Sequence, residues 1–368
     1  QNGIIKALGG YGMDIVALLK LLIETRASDL HLNAFSPPVL RIDGQLGTQN
    51  HMEQLAPEDV TQAFIDITTE EQRETFAREL ELDFAIGIPG TGRFRVNASL
   101  QKGTMSLAFR GVRTTIQSID ELLLPEVCKA LALKDHGLVL VTGPAGCGKS
   151  TTLAAMIEHI NTRRRRRVIT IEDPIEFLHE NKQCFISQRE IGTDTRSFAN
   201  ALRHALRQDP DVIMVGEMRD LDTIATALTA AETGHLILTT LHTPSAQQAI
   251  DRVIDVFPPY QQQQVRIQLS TTLQGVLYQT LIPKLNGGGR VVAVEVMIAT
   301  DAVRNLIREG KTPQMVNVIQ TGAQYGMQTL DQALIVLYRR GLISLEDALY
   351  RSRDLEVTKK ALDRFASN

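Results

Sequence analysis

Hydrophobic and polar positions divide the chain into two regions of different periodicity. In the first region, apolar residues recur at helical spacing over 14–26, and a second helix is predicted over 57–79. Other segments alternate apolar and polar residues, as half-buried strands do, and Asp43-Gly44 supplies a tight turn. This pattern predicts an α+β domain of about 100 residues. Its predicted strands are 29–32, 39–42, 82–86, 92–97 and 105–110.

In the second region, continuous apolar runs alternate with helical segments. Runs of this kind are typical of parallel strands that are buried on both faces of a sheet, so an α/β fold is predicted. A strand at 291–296 follows three glycines and leads into an all-helical tail from about residue 302. The other predicted strands are 138–142, 168–171, 212–215 and 236–241.

The stretch between the two regions, 114–125, has neither periodicity and is interpreted as an interdomain linker. Residues 1–13 are glycine-rich and are interpreted as an N-terminal extension or a tag remnant. The two predicted domains therefore span 14–113 and 126–368.

A glycine-rich loop lies between the strand at 138–142 and a helix predicted over 151–160. It matches the P-loop pattern G-x-x-x-x-G-K-[ST], in which backbone N–H groups bind phosphate at the start of a helix. Lys149 can reach the β- and γ-phosphates of a nucleotide, and the Ser150 hydroxyl can ligate Mg²⁺. A P-loop on the first strand of such a sheet fits a RecA-like core. The residues predicted to contact ATP are Gly143, Pro144, Ala145, Gly146, Cys147, Gly148, Lys149, Ser150 and Thr151.

Three acidic residues follow the strand at 168–171. Pro174 ends that strand, so Glu172, Asp173 and Glu176 are predicted at its carboxyl end. Ligands of α/β proteins bind at the carboxyl ends of the strands. We therefore predict that these three carboxylates belong to the catalytic site.

Glu217 follows the apolar strand at 212–215, where a Walker-B carboxylate holds Mg²⁺ directly or through water. The usual residue at this position is aspartate. Glu217 and Ser150 are the two predicted Mg²⁺ ligands.

Two histidines flank the strand at 236–241. His235 and His242 are predicted to lie about 23 Å apart at ~3.3 Å per residue, so they cannot share a metal ion, which argues against zinc. His242, at the carboxyl end, can sense the γ-phosphate or a neighbouring subunit, whereas a hydrogen-bonded structural role is equally compatible with His235.

Composition narrows the functional classes. Lys and Arg total 39 and Asp and Glu total 42, a net charge of −3 that argues against a protein that wraps nucleic acid. Five arginines at 163–167 are a short isolated run, better explained by a solvated turn or an intersubunit ion-pair patch than by nucleic acid or lipid binding. The three cysteines have no paired spacing, which predicts a reducing cytoplasm. No apolar run reaches the ~18 residues of a transmembrane segment.

Several motifs occur together in a characteristic order. They are GPAGCGKST, ITIEDPIEF, RQDPDVIMVGEMRD, AETGHLILTTLHT and AVRNLIRE. In this combination, from about residue 14 to about residue 349, the chain resembles the type IV pilus retraction ATPase family of the secretion ATPase superfamily.

The resemblance implies a homohexameric motor with an N-terminal PAS-like domain, a C-terminal RecA-like domain, and ATP and Mg²⁺ as ligands. It implies a cytoplasmic protein, peripheral at the inner face of the cytoplasmic membrane. Its partners would be the inner-membrane pilus platform protein and, indirectly, pilin, with no direct nucleic acid. The helix at 302–309 would matter for retraction more than for hydrolysis.

The resemblance also assigns roles to individual residues. It makes Glu176 the general base and Glu217 the residue that fixes the Mg²⁺ hydration shell, although the sequence alone does not separate these roles. Lys149 and the acids Glu172 and Asp173 complete the motifs, and His235 and His242 form the histidine motif. Arg95 and Arg110 occupy the positions of phosphate-sensing arginines, with Arg93 a weaker candidate.

Three alternatives stay open. A pilus-extension, secretion or DNA-uptake ATPase of the same superfamily is the nearest, but extension and secretion members typically carry a tetracysteine zinc module and this chain has no C-x-x-C pair. A nucleic-acid translocase is disfavoured by charge and by the lack of aromatic and basic stretches. An inactive paralogue is disfavoured by the intact Lys149, Ser150, Glu176 and Glu217.

Three positions depart from the family pattern. Ala145 and Cys147 stand where threonine and serine are commoner, and Pro244 stands where a polar residue is common. Because Cys147 lies at a helix N-terminus near Lys149, its environment favours a thiolate that mild oxidants could modify, and the alternative is an inert small side chain.

Overall fold

Two units, Gln1–Thr114 and Thr115–Asn368, make up the chain in the computed structural model. The described residues are 13–25, 27–42, 44–49, 52–112 and 115–366. The predicted N-terminal extension, apart from Met13, and Asp43 of the predicted turn lie outside these ranges. Both units combine helices and sheets, so the chain has a mixed α/β fold.

The first unit is built on a six-stranded sheet with the order β3-β2-β1-β6-β5-β4, in which every pairing is antiparallel. Apolar residues on one face of the sheet pack against the helices, as the alternating pattern predicts. Its elements are α1 (Ile15–Glu24), β1 (Asp29–Asn33), β2 (Val39–Ile42), β3 (Gln45–Thr48), α2 (Pro57–Ile67), α3 (Glu70–Glu79), β4 (Glu81–Ile88), β5 (Gly92–Gln101) and β6 (Thr104–Gly111).

The prediction of one helix over 57–79 is wrong, because the chain breaks between α2 and α3. Thr68 is extended, with φ −116° and ψ 149°. Thr69 then starts a new helix through a capping box, in which its hydroxyl accepts from Gln72 N at 3.3 Å and Gln72 Oε1 accepts from Thr69 N at 2.9 Å. No glycine or proline marks this break in the sequence, although Thr69 and Gln72 have the spacing of a capping box.

The second unit contains a seven-stranded sheet with the order β13-β12-β7-β11-β10-β8-β9. All pairings are parallel except that of β12 with β13. Its strands are β7 (Gly137–Thr142), β8 (Arg167–Glu172), β9 (Phe185–Glu190), β10 (Val212–Val215), β11 (Leu236–Leu241), β12 (Leu273–Pro283) and β13 (Arg290–Ile298). The apolar runs predicted five of them, whereas β9 and β12 contain too many polar residues to stand out.

Helices cover this sheet and form the C-terminal tail. They are α4 (Val127–Ala132), α5 (Lys149–Asn161), α6 (Phe198–Ala205), α7 (Leu221–Glu232), α8 (Ala246–Asp255), α9 (Pro259–Thr272), α10 (Asp301–Glu309), α11 (Met315–Thr321), α12 (Leu330–Arg339), α13 (Leu345–Arg351) and α14 (Leu355–Ala366), with short 3₁₀ helices at Thr312–Gln314 and Ala323–Tyr325.

The strand that leads into the P-loop contributes to two separate hydrophobic cores. Leu138 and Leu140 of β7 belong to one cluster, and Val139 and Val141 belong to the cluster on the opposite face. A strand that is buried on both faces gives the continuous apolar run seen in the sequence.

The stretch at 115–125, which was predicted to be a linker, contributes side chains to the second unit. Ile119 and Leu124 are buried in the same cluster as Cys128 and Leu131. Its mixed polar and apolar composition therefore reflects an irregular segment packed on a core.

Candidate nucleotide-binding site

Backbone conformation explains the glycines of the P-loop. Gly143, Gly146 and Gly148 have φ values of 143°, 72° and 91°, in the region that favours glycine. A Cβ on Gly143 would also lie 2.3 Å from Gln279 O. The loop can therefore follow this path only with glycine at its first position, and it ends where Lys149 begins α5.

The Lys149 ammonium lies at the mouth of this loop. Its Nζ donates to Gly143 O at 3.0 Å and to Pro144 O at 2.9 Å, and it lies 3.5 Å from His242 Nδ1. Burial lowers the pKa of Lys149, and the negative charge of Glu217 opposes this effect. The ammonium is thus held by carbonyl groups of the loop that would bind phosphate.

Gln279, a residue that the sequence did not single out, fixes the P-loop from β12. Its side chain is buried, with Nε2 donating to Cys147 O at 2.8 Å and Oε1 accepting from Thr152 Oγ1 at 2.9 Å. Gln279 therefore joins the loop to the first turns of α5. Because β12 was not predicted, no sequence signal placed this residue near the phosphate site.

Cys147 is not the thiolate that its position predicted. The side chain is buried inside the loop, and burial raises the pKa of Cys147 despite the nearby Lys149 charge. The predicted thiolate is wrong, because the thiol is buried, and the alternative of an inert small side chain is favoured instead.

The three predicted acids at the end of β8 have different environments. Glu172 is buried, and its Oε1 accepts from Thr170 Oγ1 at 2.6 Å and from Gln188 Nε2 at 3.2 Å. Burial raises the pKa of Glu172, and the hydrogen bonds from Thr170 and Gln188 oppose the rise. Asp173 and Glu176 are exposed. Glu172 is thus fixed within the protein, whereas the other two carboxylates face solvent.

Gln188 of β9 holds the acidic segment in place. Besides its bond to Glu172, its Nε2 donates to Phe177 O at 2.8 Å and its Oε1 accepts from His179 N at 2.8 Å. Neither Gln188 nor β9 was predicted from the sequence.

Glu217, His242 and Lys149 meet at one edge of the sheet. Glu217 Oε2 lies 3.7 Å from His242 Nε2, while the other ring nitrogen of His242 faces Lys149. Glu217 Oε1 also pairs with Arg219 Nε at 2.8 Å. Burial and the Lys149 charge lower the pKa of His242, and the Glu217 carboxylate opposes this effect. The imidazole thus lies between a lysine and a carboxylate.

Contacts with β11 hold the backbone around Glu217. Thr240 Oγ1 donates to Gly216 O at 2.5 Å, and Met218 N donates to Thr240 O at 3.2 Å. A cavity of about 400 Å³ opens beside these residues, lined by Met218, Arg219, Leu241, His242 and Arg252.

His235 lies at the opposite end of β11 and does not reach this site. Its Nδ1 lies 3.0 Å from Ala230 O and 3.3 Å from Thr233 Oγ1, at the end of α7. The prediction that the two histidines lie at opposite ends of one strand is confirmed.

Comparisons with known proteins match nearly the whole chain. The family model described as "Type II/IV secretion system protein" matches residues 118–305. The type IV pilus retraction ATPase PilT of Pseudomonas aeruginosa is 51% identical over 341 residues, which cover 93% of this chain and 98% of that protein. The chain belongs to the type IV pilus retraction ATPase family.

Two further relatives of the retraction ATPase family agree with this assignment. The twitching motility protein of Neisseria gonorrhoeae is 46% identical over 334 residues, which cover 91% of this chain and 89% of that protein. A crystal structure of the pilus retraction motor PilT with bound ADP has a TM-score of 0.88 and 47% identity, covering 95% of this chain and 99% of that chain. The family resemblance inferred from the motifs is therefore confirmed.

Across the described ranges, no helix has the length and apolar character needed to cross a bilayer.

The two arginines that the retraction ATPase resemblance singled out face each other in the first unit. Arg95 of β5 and Arg110 of β6 are direct antiparallel partners, on the face opposite the buried Phe94 and Phe109. Arg110 Nε donates to Asp29 Oδ1 at 2.8 Å. Within the described ranges, Arg95 forms no ion pair.

The AVRNLIRE segment of the retraction ATPase lies in α10. Arg304 Nη1 donates to Ser270 O and, at 2.9 Å, to Thr271 O at the end of α9, whereas Asn305, Arg308 and Glu309 are exposed. Arg304 thus anchors this helix to α9.

We predict that Gln279→Leu weakens ADP binding roughly tenfold, because the carbonyl of Cys147 and the hydroxyl of Thr152 lose their buried partner. Calorimetric titration of the purified protein with ADP measures the effect. Gln274→Leu is the matched control, since Gln274 lies in the same strand and its side chain donates to His136 O instead. An unchanged ADP dissociation constant in a folded Gln279→Leu variant would contradict the role of this clamp.

We predict that Glu172→Gln raises the melting temperature at pH 7 and lowers ATP turnover. A carboxyl group whose pKa is raised by folding destabilises the native state at any pH above its unfolded pKa of 4.5. This cost in stability disappears as the pH falls towards 4.5. Recovery of 1 kcal/mol shifts the melting temperature by about 2–4 °C in a unit of this size. Scans between pH 4.5 and 7.5 test this, with the exposed Glu180→Gln as control. A variant that melts well below the parent at pH 7 would refute it.

Proposed function

We propose that this chain is the ATP-hydrolysing motor that powers type IV pilus retraction, and hence pilus disassembly and twitching motility. The observation that carries the proposal is the contact of Lys149, His242 and Glu217 beside a P-loop. Lysine and a strand-end carboxylate are the side chains that phosphoryl transfer requires beside a P-loop. The cellular process in the proposal, pilus retraction, is inferred from the family to which the chain belongs.

The P-loop backbone, from Gly143 to Thr151, would bind the phosphates of ATP, and Lys149 would exchange its loop carbonyls for phosphate oxygens. Oxygen donors at Ser150 and Glu217 suit Mg²⁺, which favours hydroxyl, carboxylate and phosphate oxygens. When bound, Mg²⁺ would neutralise charge on the β- and γ-phosphates. The contacts of Gly216 and Met218 with β11 would keep the Glu217 carboxylate in place for this role.

Exposure supports a division of roles among the acids. A general base must reach the attacking water, and Glu176 is exposed whereas Glu172 is buried and hydrogen-bonded. We assign Glu176 as the base, with Asp173 beside it, and Glu172 as the residue that holds the acidic segment. His242 would sense the γ-phosphate next to Lys149.

The rest of the proposal follows the family. The first unit would be a PAS-like domain over 14–113 and the second a RecA-like domain over 126–368. Six copies would form a ring at the cytoplasmic face of the inner membrane, with the pilus platform protein as partner and pilin as the indirect cargo. Arg95 and Arg110 would be the phosphate-sensing arginines that the family resemblance implies.

We predict that Lys149→Ala abolishes ATP hydrolysis, because it removes the positive charge from the β- and γ-phosphates. Glu217→Gln should retain ATP binding and lose turnover. Steady-state phosphate release and nucleotide titration separate these two outcomes. Hydrolysis by Glu217→Gln at the parental rate would refute the assignment of Glu217.

Complementation tests the cellular role separately from the chemistry. In a piliated strain that lacks its retraction ATPase, the parent chain should restore twitching and Lys149→Ala should not. If the parent hydrolyses ATP but restores no retraction, even with normal expression, the retraction role is wrong and the ATPase activity stands.

We predict that Arg95→Ala lowers turnover roughly 10³-fold with little change in melting temperature, the effect of losing an arginine that stabilises transition-state charge. Arg110→Ala should also lower the melting temperature, since it removes a partner of the buried Asp29. Arg41→Ala is the matched control, because Arg41 also lies near Asp29 but is not a phosphate-sensing candidate. Parental turnover in Arg95→Ala and Arg110→Ala would exclude phosphate sensing by these residues.

A further inference from the structure

An ion pair between the buried Glu295 and the exposed Arg353 connects the C-terminal helices to the segment that follows His242. Glu295 of β13 is 2% exposed, and its Oε2 accepts from Arg353 Nη1 at 2.6 Å. Its Oε1 accepts from Ala246 N at 2.8 Å, at the first residue of α8. Both carboxylate oxygens are thus used, and the negative charge lies at a helix N-terminus, where it is favoured.

The Arg353 guanidinium makes a second contact to the same segment. Its Nη2 donates to Pro244 O at 2.9 Å, and the group lies 5.0 Å from the centre of the Tyr278 ring. Pro244 is two residues from His242. The planar fork of arginine therefore holds Glu295 and the Pro244 carbonyl together.

The backbone of Arg353 is itself fixed by α12. Asp331, in the first turn of α12, accepts from Arg353 N at 2.7 Å and from Asp354 N at 3.0 Å. The connection between α13 and α14 is thereby held at the position from which the guanidinium reaches Pro244.

The opposite side of the segment is held by the strand that carries the P-loop. Thr243 N donates to Thr142 Oγ1 at 3.0 Å, and the two threonine hydroxyls lie 2.7 Å apart. Thr142 immediately precedes Gly143. The backbone at 243–246 is thus fixed between the P-loop strand and the Glu295–Arg353 pair, and His242 projects from its start.

We propose that Arg353 is a positioning residue for ATP hydrolysis, which holds the backbone at 243–246 and thereby keeps the His242 ring between Lys149 and Glu217. The inference rests on the proposed ATPase function. Gln279 holds the P-loop through hydrogen bonds that do not involve Arg353. The rate of turnover should therefore depend on Arg353, and the affinity for nucleotide should not.

Arg353→Lys is the informative substitution. A lysine keeps a positive charge beside Glu295, but its single ammonium cannot reproduce the fork that also reaches Pro244 O. We expect kcat to fall roughly tenfold, with the ADP dissociation constant and the KM for ATP within about twofold of the parent. Arg353→Ala should in addition lower the melting temperature, because it leaves Glu295 buried and unpaired. Lys360→Ala is the control, since it removes only the exposed ion pair with Glu356 in α14.

A double-mutant cycle with His242→Asn distinguishes positioning from general loosening. If Arg353 acts through His242, then Arg353→Lys should lower kcat by no more than about twofold in the His242→Asn background. Parental kcat in Arg353→Lys, a parallel loss of nucleotide affinity, or fully additive effects in the double variant would each overturn the proposal. A parent chain without ATP hydrolysis would overturn the proposed function as well, and that result is visible before any variant is made.

Discussion

Parallel pairing of β7, β11, β10 and β8 is the constraint on which the site depends. Parallel strands end at the same edge of a sheet, so residues far apart in sequence follow one another along that edge. The P-loop and His242 come directly after β7 and β11, Glu217 lies two residues after β10, and Glu172 is the last residue of β8. Burial of the strands on both faces fixes their register, and the register brings the lysine, the imidazole and the carboxylates to one place.

Residues on the flanking strands then hold the loops that leave this edge. On one side, Gln279 of β12 fixes the P-loop, and on the other side, Gln188 of β9 fixes the acidic segment. Both are amides that donate to one backbone carbonyl and accept from another group. A neutral amide can do this at a phosphate site without adding charge that would compete with Lys149 or repel the nucleotide.

Sequence reasoning identified the residues that line the candidate nucleotide site and missed those that support them. The P-loop, Glu172 and Glu217 follow buried apolar strands, so a local pattern placed them at strand ends. Gln188 and Gln279 lie in strands of mixed polarity, and their partners are distant in sequence, so no local pattern could assign them. The Cys147 prediction failed for a related reason, since a helix N-terminus can be recognised in sequence but burial by tertiary packing cannot.

The junction of α9 and β12 has a mechanical consequence. The strand begins at Leu273, directly after the last helical residue, Thr272, so no loop separates the two elements. Arg304 joins α10 to the end of α9, and Gln279 lies about 20 Å along the strand from its start, at ~3.3 Å per residue. A load applied to α10 would pass along a backbone that is paired with β7 and β13 over most of its length, apart from one register shift between Leu273 and Gly275, before it reached the P-loop. A direct connection of this kind suits a protein that couples force to nucleotide hydrolysis.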